Sequence, residues 1–459
     1  MKRTAVLNVV GLTESLIGFH MPNIAAFAAR NQLQQIRPAF PAVTCTAQST
    51  YLTGVSAREH GIVGNGWYDR DYAEHRFWKQ SNNLVQQPKI WEVLKQQDPS
   101  FTCAKLFWWY NMYANVDYSI TPRPMYPADG RKVFDIYTQP MNLRETIKQD
   151  LGDFPFPYFW GPMAGIQSSE WIAQSAQWIE AQHAPTLNLI YLPHLDYNLQ
   201  RYGPNDTGVH GDLEAIDAVV GELITFFEAR DIEVILLSEY GITEVDRPIH
   251  PNRIFREQGW ITVKDELGLE QLDCGASRAF AISDHQIAHI YLNDPTLRET
   301  VHDTLLASEG VCEVLDADSM SAYGIDHERS GDLIAIADER SWFTYYYWQE
   351  DARAPDFARC VDIHRKVGYD PVELFIDPNF KFPKLKVAQK LLRKKLGLRT
   401  LMDLIPLDAS LVRGSHGRIP SDRKDWPGFL SSAAPSPPDC IYSTEVFDAL
   451  FMHASGNHE

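Results

Sequence analysis

The chain has 459 residues, which is too long for one ordinary core, because domains usually run to roughly 100–200 residues. Its 44% hydrophobic and 22% charged residues exclude a wholly disordered, collagen-like or membrane-bundle protein. Sixty acidic residues against 42 basic ones give a formal charge of −18. This charge disfavours a general nucleic-acid binder, since phosphate binding needs a basic face.

The spacing of the cysteines and the N-terminal segment indicate in which cellular compartment the chain is expected. Six cysteines lie far apart without a Cys-x-x-Cys pair, so the sequence signals neither a thiolate zinc site nor a small disulfide scaffold. Two basic residues before the apolar run 4–12 imitate a signal peptide, but Asn8 interrupts the run and Glu14 follows it. We therefore expect a buried first strand and a cytoplasmic chain.

The first half of the chain alternates strands with helices. The predicted strands are 4–10, 102–109, 186–192 and 233–237, and the predicted helices are 24–29, 89–96, one capped by Ser168 or Ser169, and 212–230. This alternation predicts an α/β fold whose mostly parallel sheet is covered by helices on both faces. Chemistry in such sheets gathers where strands end at their carboxyl side, here near Gly11, Pro193 and Ser238.

The pattern changes from Ser277 onward. Strands at 278–282, 286–292, 312–315 and 332–337, with a helix at 295–307, predict an inserted α+β lobe. We expect residues 1–274 to form the first part of the core, 275–345 the lobe, and 346–459 the rest of the core. The tail after Pro420, with SSAAPSPP at 431–438, is predicted to be loosely ordered.

The most specific motif is PAVTCTAQSTYLTG at 41–54, followed by HGIVGN at 60–65. It resembles the nucleophile region of the nucleotide pyrophosphatase/phosphodiesterase family, within the alkaline phosphatase superfamily. In that family a nucleophilic threonine stands nine residues before a Thr-Gly pair, and a phosphate-contacting asparagine follows the His-Gly-Ile-Val element. The resemblance places the nucleophile on Thr44 and the substrate-binding asparagine on Asn65.

Three later motifs extend the resemblance. YLPHLDYNLQRYGP at 191–204 puts Asp196 at a metal-ligand position, SEYGI at 238–242 puts Glu239 at another, and GSHG at 414–417 puts His416 at the last. The resemblance thus implies an alkaline-phosphatase-like core and one or two divalent ions, with zinc or manganese expected. It further implies Asp196, Glu239 and His416 as the ligands.

The sequence departs from the family at four ligand positions. The family's first-strand Asp is Val10 here, its second His is Gln200, and its Asp-His pair is Glu239-Tyr240. A standard two-metal site cannot be assembled from the matching positions, although three ligands suffice for one catalytic zinc ion. Missing ligands could come from loop residues, above all Asp284-His285 and Asp362 with His364. Alternatively, these side chains only form ordinary hydrogen bonds within their loops.

The residue types explain the chemistry that the resemblance implies. A threonine hydroxyl is a weak nucleophile and needs a metal ion or a base, and Asn65 could donate a hydrogen bond to the oxyanion. We expect a metal-dependent hydrolase of phosphodiester or pyrophosphate bonds with a threonine phospho-enzyme intermediate. The alternatives are a non-catalytic member that binds a phosphorylated ligand, and a phosphonate or lipid-phosphate hydrolase.

The expected partner is a small phosphorylated molecule and not a nucleic-acid polymer. Between residues 381 and 399 there are eight Lys or Arg and no acid, with leucines among them. This basic segment predicts an amphipathic helix that either contacts an anionic membrane surface or crosses the acidic body in solvent. Aromatic runs at 107–110 and 342–348 could belong to the core or to a ligand pocket.

Overall fold

A computed structural model describes residues 1–398, 400–432 and 439–456, without the side chain of Lys394. The described strands are β1 Thr4–Val9, β2 Gln34–Arg37, β3 Gly66–Asp69, β4 Glu74–Phe77, β5 Cys103–Leu106, β6 Tyr118–Pro122, β7 Ile136–Gln139, β8 Leu187–Leu192, β9 Glu233–Leu237, β10 Thr243–Glu244, β11 Arg247–Ile249, β12 Val263–Glu266, β13 Leu269–Leu272, β14 Ala279–Asp284, β15 Ile287–Leu292, β16 Val311–Leu315, β17 Leu333–Ala337, β18 Ser341–Phe343, β19 Gly414–Ser415, β20 Gly428–Ser431 and β21 Cys440–Tyr442.

The helices carry the faces that cover these strands. They are α1 Pro22–Arg30, α2 Thr44–Thr53, α3 Ala57–His60, α4 Ile90–Gln97, α5 Leu143–Leu151, α6 Ile166–His183, α7 His194–Tyr202, α8 His210–Glu228, α9 Pro251–Glu257, α10 Arg298–Leu306, α11 Ala317–Tyr323, α12 Pro383–Lys395 and α13 Val446–Ser455. Among the helices described, none is long and apolar enough to cross a membrane.

The main sheet has the strand order β21-β2-β20-β9-β1-β8-β5-β6-β7. Strand β1 lies near its middle and pairs in parallel with β8 and β9, and β5 continues the parallel set beyond β8. Every residue of β1 and β8 is buried, as expected for strands with helices on both faces. The predicted α/β fold with a mostly parallel sheet is confirmed.

Two predicted boundaries are wrong. The strand predicted at 102–109 ends at Leu106, because Phe107 and Tyr110 have positive φ angles of 64° and 53° that turn the chain. Ser168 and Ser169 do not cap the helix after them, since α6 already begins at Ile166 and buries both serines.

A second sheet occupies the segment where the α+β lobe is predicted. Its strand order is β14-β15-β17-β16, and all its strands pair antiparallel. The boundaries at 274 and 345 stay a prediction. The turn between β14 and β15 contains His285 with a φ of 60°. The next residue, Gln286, donates its backbone N–H to the carbonyl of His416 at 2.8 Å, so this turn lies against the carboxyl end of the main sheet.

The prediction of a loosely ordered tail after Pro420 is wrong for its described part. Strand β20 pairs with β2 and β9 inside the main sheet, and β21 forms the sheet edge beside β2. Helix α13 packs against α2 and α4. Residues 433–438 of the SSAAPSPP run lie outside the described residues.

Candidate active site

The predicted site residues converge at the carboxyl ends of β1, β8 and β9. Thr44 is the first residue of α2, Asp196 lies in the first turn of α7, and Glu239 follows β9. His416 follows β19 directly, and its Nε2 lies 3.9 Å from Asp196 Oδ1. These four side chains, far apart in sequence, are all buried in one region.

Thr44 contributes its hydroxyl from the positive end of a helix. Its Oγ1 lies 3.1 Å from the phenol oxygen of Tyr240. The residue before it, Val43, has no polar side-chain atom to cap the helix, and the first turn contains no acidic residue. Unpaired N–H groups at a helix N-terminus carry partial positive charge, which favours an anion such as phosphate beside Thr44.

Asp196 is held by two neutral donors. Its Oδ1 accepts a hydrogen bond from the Tyr240 hydroxyl at 3.1 Å, and its Oδ2 accepts one from Gln200 Nε2 at 2.9 Å. Burial raises the pKa of Asp196 to about 7, while these two hydrogen bonds act in the opposite direction. Because a phenol has a single hydrogen and Tyr240 gives it to Asp196, the Thr44 hydroxyl is the donor to Tyr240.

Glu239 forms the other carboxylate of the site. Its Oε1 accepts hydrogen bonds from Asn8 Nδ2 at 2.6 Å and from Gln48 Nε2, and Gln48 lies one helical turn after Thr44 on α2. Burial raises the pKa of Glu239 to about 8, while the hydrogen bonds from Gln48 and Asn8 act in the opposite direction. Within the described residues, Glu239 Oε2 is buried without a hydrogen-bond partner.

His416 lies inside a column of stacked rings. Its Nδ1 donates to the carbonyl of Ala42 at 2.7 Å, which directs Nε2 toward Asp196. The ring stacks on Tyr240 with centroids 3.6 Å apart, and on its other side lies His285 at 3.7 Å. Tyr369 continues the column, 3.6 Å from His285. Burial holds the pKa of His416 well below its usual range, so its imidazole is neutral.

Asn65 supports the start of α2. Its Oδ1 accepts the backbone N–H of Cys45 at 3.0 Å, and its Nδ2 donates to Asp284 Oδ1 at 3.1 Å. Asp284 also accepts the Asn65 backbone N–H at 2.7 Å. One amide hydrogen of Asn65 is therefore committed to Asp284, and donation of the other to a bound phosphate stays a prediction.

The residues present do not fit the metal centre that the resemblance implies. Across the described parts of the chain, there is no group of three or more His, Cys, Asp or Glu that could hold an ion. Val10 offers only hydrocarbon, Gln200 is hydrogen-bonded to Asp196, and the Tyr240 phenol bridges Thr44 and Asp196. His416 Nε2 is buried and has no hydrogen-bond partner among the described residues, yet a nitrogen facing one carboxylate is short of the three ligands that a catalytic zinc uses.

A cavity of about 780 Å³ opens above these groups. Thr44, Asp196, Tyr240 and His285 line it, together with five cationic side chains, Arg76, Lys79, Arg123, Lys132 and Arg329. Its aromatic wall comprises Trp67, Trp78, Trp109, Tyr113, Tyr126, Phe156, Phe159, Trp160, Tyr191, Tyr197 and Tyr369. Asp362 and His364, named above as substitute ligands, also line it. Such a cavity has room and charge for a small anion with an aromatic or apolar part.

The aromatic residues of both runs belong to the core, with the exception of Trp109. The residues at 345–348 are buried in a hydrophobic cluster with Trp342, whereas Trp109 lines the cavity and packs against Trp78 with ring centroids 4.7 Å apart. No sequence motif indicates Tyr369 or Trp78 as site residues. For Gln48 a signal was available, since it stands four residues after Thr44 and a helix places both on one face.

Comparisons with known proteins agree with this architecture. The model of the family "type I phosphodiesterase / nucleotide pyrophosphatase" matches residues 4–370. A pyrophosphatase/phosphodiesterase of Schizosaccharomyces pombe, described as uncharacterized, is 26% identical over 243 residues, which is 51% of this chain and 42% of that protein. The chain therefore matches less than half the length of that relative.

Two solved structures share the fold over nearly the whole chain. Murine ectonucleotide pyrophosphatase/phosphodiesterase 5, an inactive variant in complex with AMP, has a TM-score of 0.59 at 14% identity and covers 99% of this chain and 95% of its own. Phosphonoacetate hydrolase from Sinorhizobium meliloti 1021, in complex with phosphonoformate, has a TM-score of 0.63 at 13% identity, with 99% and 96% covered.

Proteins of the matched family are phosphodiester and pyrophosphate hydrolases that generally depend on divalent metals. The resemblance found in the sequence implies the family's residue types at Thr44, Asp196 and His416 and different ones at Val10, Gln200, Glu239 and Tyr240. The chain belongs to the type I phosphodiesterase/nucleotide pyrophosphatase family, as a divergent member with altered metal-ligand positions.

Proposed function

We propose that the chain hydrolyses phosphodiester or pyrophosphate bonds in small phosphorylated molecules, with Thr44 as the nucleophile. One observation carries this proposal: the Thr44 hydroxyl lies in the cavity at the N-terminus of α2 and is connected through the Tyr240 phenol to the carboxylate of Asp196. A weak nucleophile is thereby linked to a base whose pKa of about 7 suits neutral pH.

The first step would form a phosphothreonine. Thr44 Oγ1 attacks phosphorus while its proton passes to the Tyr240 oxygen and the Tyr240 proton passes to Asp196. The bond between phosphorus and the leaving oxygen breaks, and that oxygen leaves as an anion or takes a proton from solvent. Water then attacks the phosphorus and releases one proton to solvent, the bond to Thr44 breaks, and Oγ1 recovers its proton from Asp196 through Tyr240.

Charge on the substrate has two sources of stabilisation in this proposal. The N-terminus of α2 lies beside the reacting phosphate, and the cationic side chains of the cavity raise the local concentration of anions. The aromatic wall would receive an organic group of the substrate. Since the described residues contain no group of three or more His, Cys, Asp or Glu that could hold an ion, no step is assigned to the expected zinc or manganese ion.

Trapping of the covalent intermediate tests the proposal. Bis(4-nitrophenyl) phosphate is mixed with the full chain, quenched in acid within the first turnover, and the peptides are analysed by mass spectrometry. We expect a nitrophenyl-phosphoryl adduct on the peptide that contains Thr44, and none in Thr44→Ala. Turnover with the adduct on another peptide would refute Thr44 as the nucleophile.

A second candidate function is binding of a phosphorylated ligand without turnover. The Tyr240 phenol, at a position where the family has a histidine ligand, favours it, because this phenol engages both Thr44 and Asp196. AMP is a suitable probe, since the murine structure is described with AMP. Saturable AMP binding together with undetectable hydrolysis of diesters and pyrophosphates would select this candidate.

Hydrolysis of phosphonates or lipid phosphates stays a third alternative. The likeness to phosphonoacetate hydrolase shows the fold alone and does not favour this activity.

The expected cytoplasmic location also stays a proposal. It is supported by the cysteines, all six of which are free thiols and four of which are buried, as is usual in a reducing compartment.

A further inference from the structure

Helix α12 lies in the basic segment that is predicted to be amphipathic. It turns a partly cationic face toward the rest of the chain, whereas a surface helix usually turns its apolar face inward. Its partly buried side chains are Pro383, Lys386, Val387 and Lys390, which recur at helical spacing and face the rest of the chain. Lys390 donates to the carbonyl of Leu401 at 2.8 Å and pairs with Asp403. Lys386 Nζ lies 3.3 Å from the centre of the Phe380 ring. The inward face is thus partly cationic.

The outward face of α12 is apolar. Leu385, Leu392 and Leu396 stand seven and four residues apart, which places them on one side of a helix. They are 68%, 58% and 68% exposed, respectively. Further exposed apolar residues surround this stripe, namely Phe382, Leu391, Leu398 and Leu401. A soluble domain usually buries such a stripe, so the face is built to be covered by something else.

The charges around the stripe indicate what covers it. Lys384 and Lys395 flank it on one side and Arg393 on the other, and in the described part of the chain none of the three forms an ion pair. The sequence contains no Asp or Glu from 378 to 402, although the whole chain has a charge of −18. The side chains of Lys394 and Arg399, which belong to the same basic segment, lie outside the described residues.

We propose that α12 binds an anionic membrane surface. Leu385, Leu392 and Leu396 enter the boundary between lipid headgroups and acyl chains, and Lys384, Arg393 and Lys395 contact anionic headgroups. A helix with apolar residues on one face and cations along its flanks lies in the plane of such an interface, and each basic residue there adds electrostatic attraction. An acidic body is repelled by anionic lipid, so binding is confined to this segment.

Vesicle flotation of the full chain tests the proposal. Vesicles of phosphatidylcholine alone are compared with vesicles that contain about one-third phosphatidylglycerol at low and high salt. We expect binding only to the anionic vesicles and release by salt. The triple variant Lys384→Gln, Arg393→Gln, Lys395→Gln should lower the partition coefficient roughly a hundredfold. The triple variant Leu385→Ser, Leu392→Ser, Leu396→Ser should lower it about tenfold or more.

A matched control replaces three exposed apolar residues elsewhere: Phe19→Ser, Met141→Ser and Leu267→Ser. This control should bind the anionic vesicles like the native chain. All variants should keep the native circular dichroism spectrum, because the replaced side chains are exposed. Three results would overturn the proposal: no flotation with anionic vesicles, equal binding to neutral vesicles, or an equal loss in the control. Leucine-dependent self-association without vesicle binding would assign the face to a second copy of the chain and also overturn it.

Discussion

Tyr240 contacts three side chains of the site. Its hydroxyl lies 3.1 Å from Thr44 Oγ1 and donates to Asp196 Oδ1 at 3.1 Å, and its ring stacks on His416 at 3.6 Å. The phenol therefore takes part in hydrogen bonding where a histidine of the family would bind metal. In the proposed reaction it passes the proton of Thr44 to Asp196.

Removal of the phenolic oxygen isolates this role. Tyr240→Phe keeps the stacked ring and breaks the connection between Thr44 and Asp196, so kcat for an activated diester should fall by about 10²–10⁴. Tyr369→Phe is the control, because the Tyr369 hydroxyl contacts Gln200, one residue further from Thr44, and its loss should cost less than about tenfold. Equal losses in the two variants would show that Tyr240 acts only by packing.

The pH dependence of the reaction reports on Asp196. A base acts when deprotonated, so kcat/KM should rise as the pH increases through about 7 and then level off. Asp196→Asn should have a low rate without this rise, because an amide cannot accept the proton. A pH–rate profile of both proteins with one activated diester is the measurement. A rise that persists unchanged in Asp196→Asn would assign it to another group.

The altered ligand positions can be tested by restoring them. A fourfold variant recreates the family's residue types through Val10→Asp, Gln200→His, Glu239→Asp and Tyr240→His. Imidazole and carboxylate groups bind zinc far better than a valine, an amide or a neutral phenol. The native chain should purify with at most one tightly held equivalent of metal, and the fourfold variant with more. Metal analysis by mass spectrometry decides, and two equivalents in the native chain would contradict our account of the site.

At the scale of elements, a buried ion cluster holds Tyr369 in the ring column. Lys366 Nζ lies 2.7 Å from Asp370 Oδ2 and 2.7 Å from Glu373 Oε1, with all three side chains buried. Glu373 also accepts the indole N–H of Trp160, which lines the cavity beside Tyr369. The segment that completes the cavity wall is therefore fixed by charges removed from water.

Lys366→Met leaves two carboxylates buried without their cation. The free energy of unfolding should fall by about 3–5 kcal/mol, since breaking a buried pair leaves an uncompensated charge. Lys2→Met is the matched control: its partner Asp231 is almost fully exposed, and loss of this pair should cost less than about 1 kcal/mol. Urea unfolding of both variants provides the comparison, and a cost for Lys366→Met no larger than that of the control would contradict the role of the cluster.

Hydrophobic runs predicted the central elements well. Strands β1, β8 and β9 are fully or almost fully buried runs of β-branched and aliphatic residues, which local sequence identifies. Strands β20 and β21 were missed because each has four residues or fewer and pairs with strands hundreds of positions away. Such short segments become strands through tertiary pairing, which single-sequence patterns do not contain.

For the whole molecule, the order of the motifs along the chain predicted which residues form the site. It did not predict the side-chain contacts that connect one motif to another. Asp196 and Glu239 meet because they follow β8 and β9, neighbours of β1 in the parallel set, whereas Thr44 reaches the same edge on α2 and His416 after β19, which pairs with β10. The bridge from Thr44 through Tyr240 to Asp196 joins three motifs, and the column from His416 through His285 to Tyr369 joins the main sheet to the second sheet. These contacts depend on side-chain packing between elements, so the sequence indicated the residues and not their partners.

The rate of bis(4-nitrophenyl) phosphate hydrolysis by the native chain, Thr44→Ala and Thr44→Ser shows whether Thr44 is the nucleophile. If Thr44 is the nucleophile, the native chain turns the diester over, Thr44→Ala loses about 10³-fold or more of kcat, and Thr44→Ser retains measurable turnover because it keeps a hydroxyl. Folding of each variant is checked by circular dichroism. Turnover by Thr44→Ala equal to that of the native chain would contradict the account.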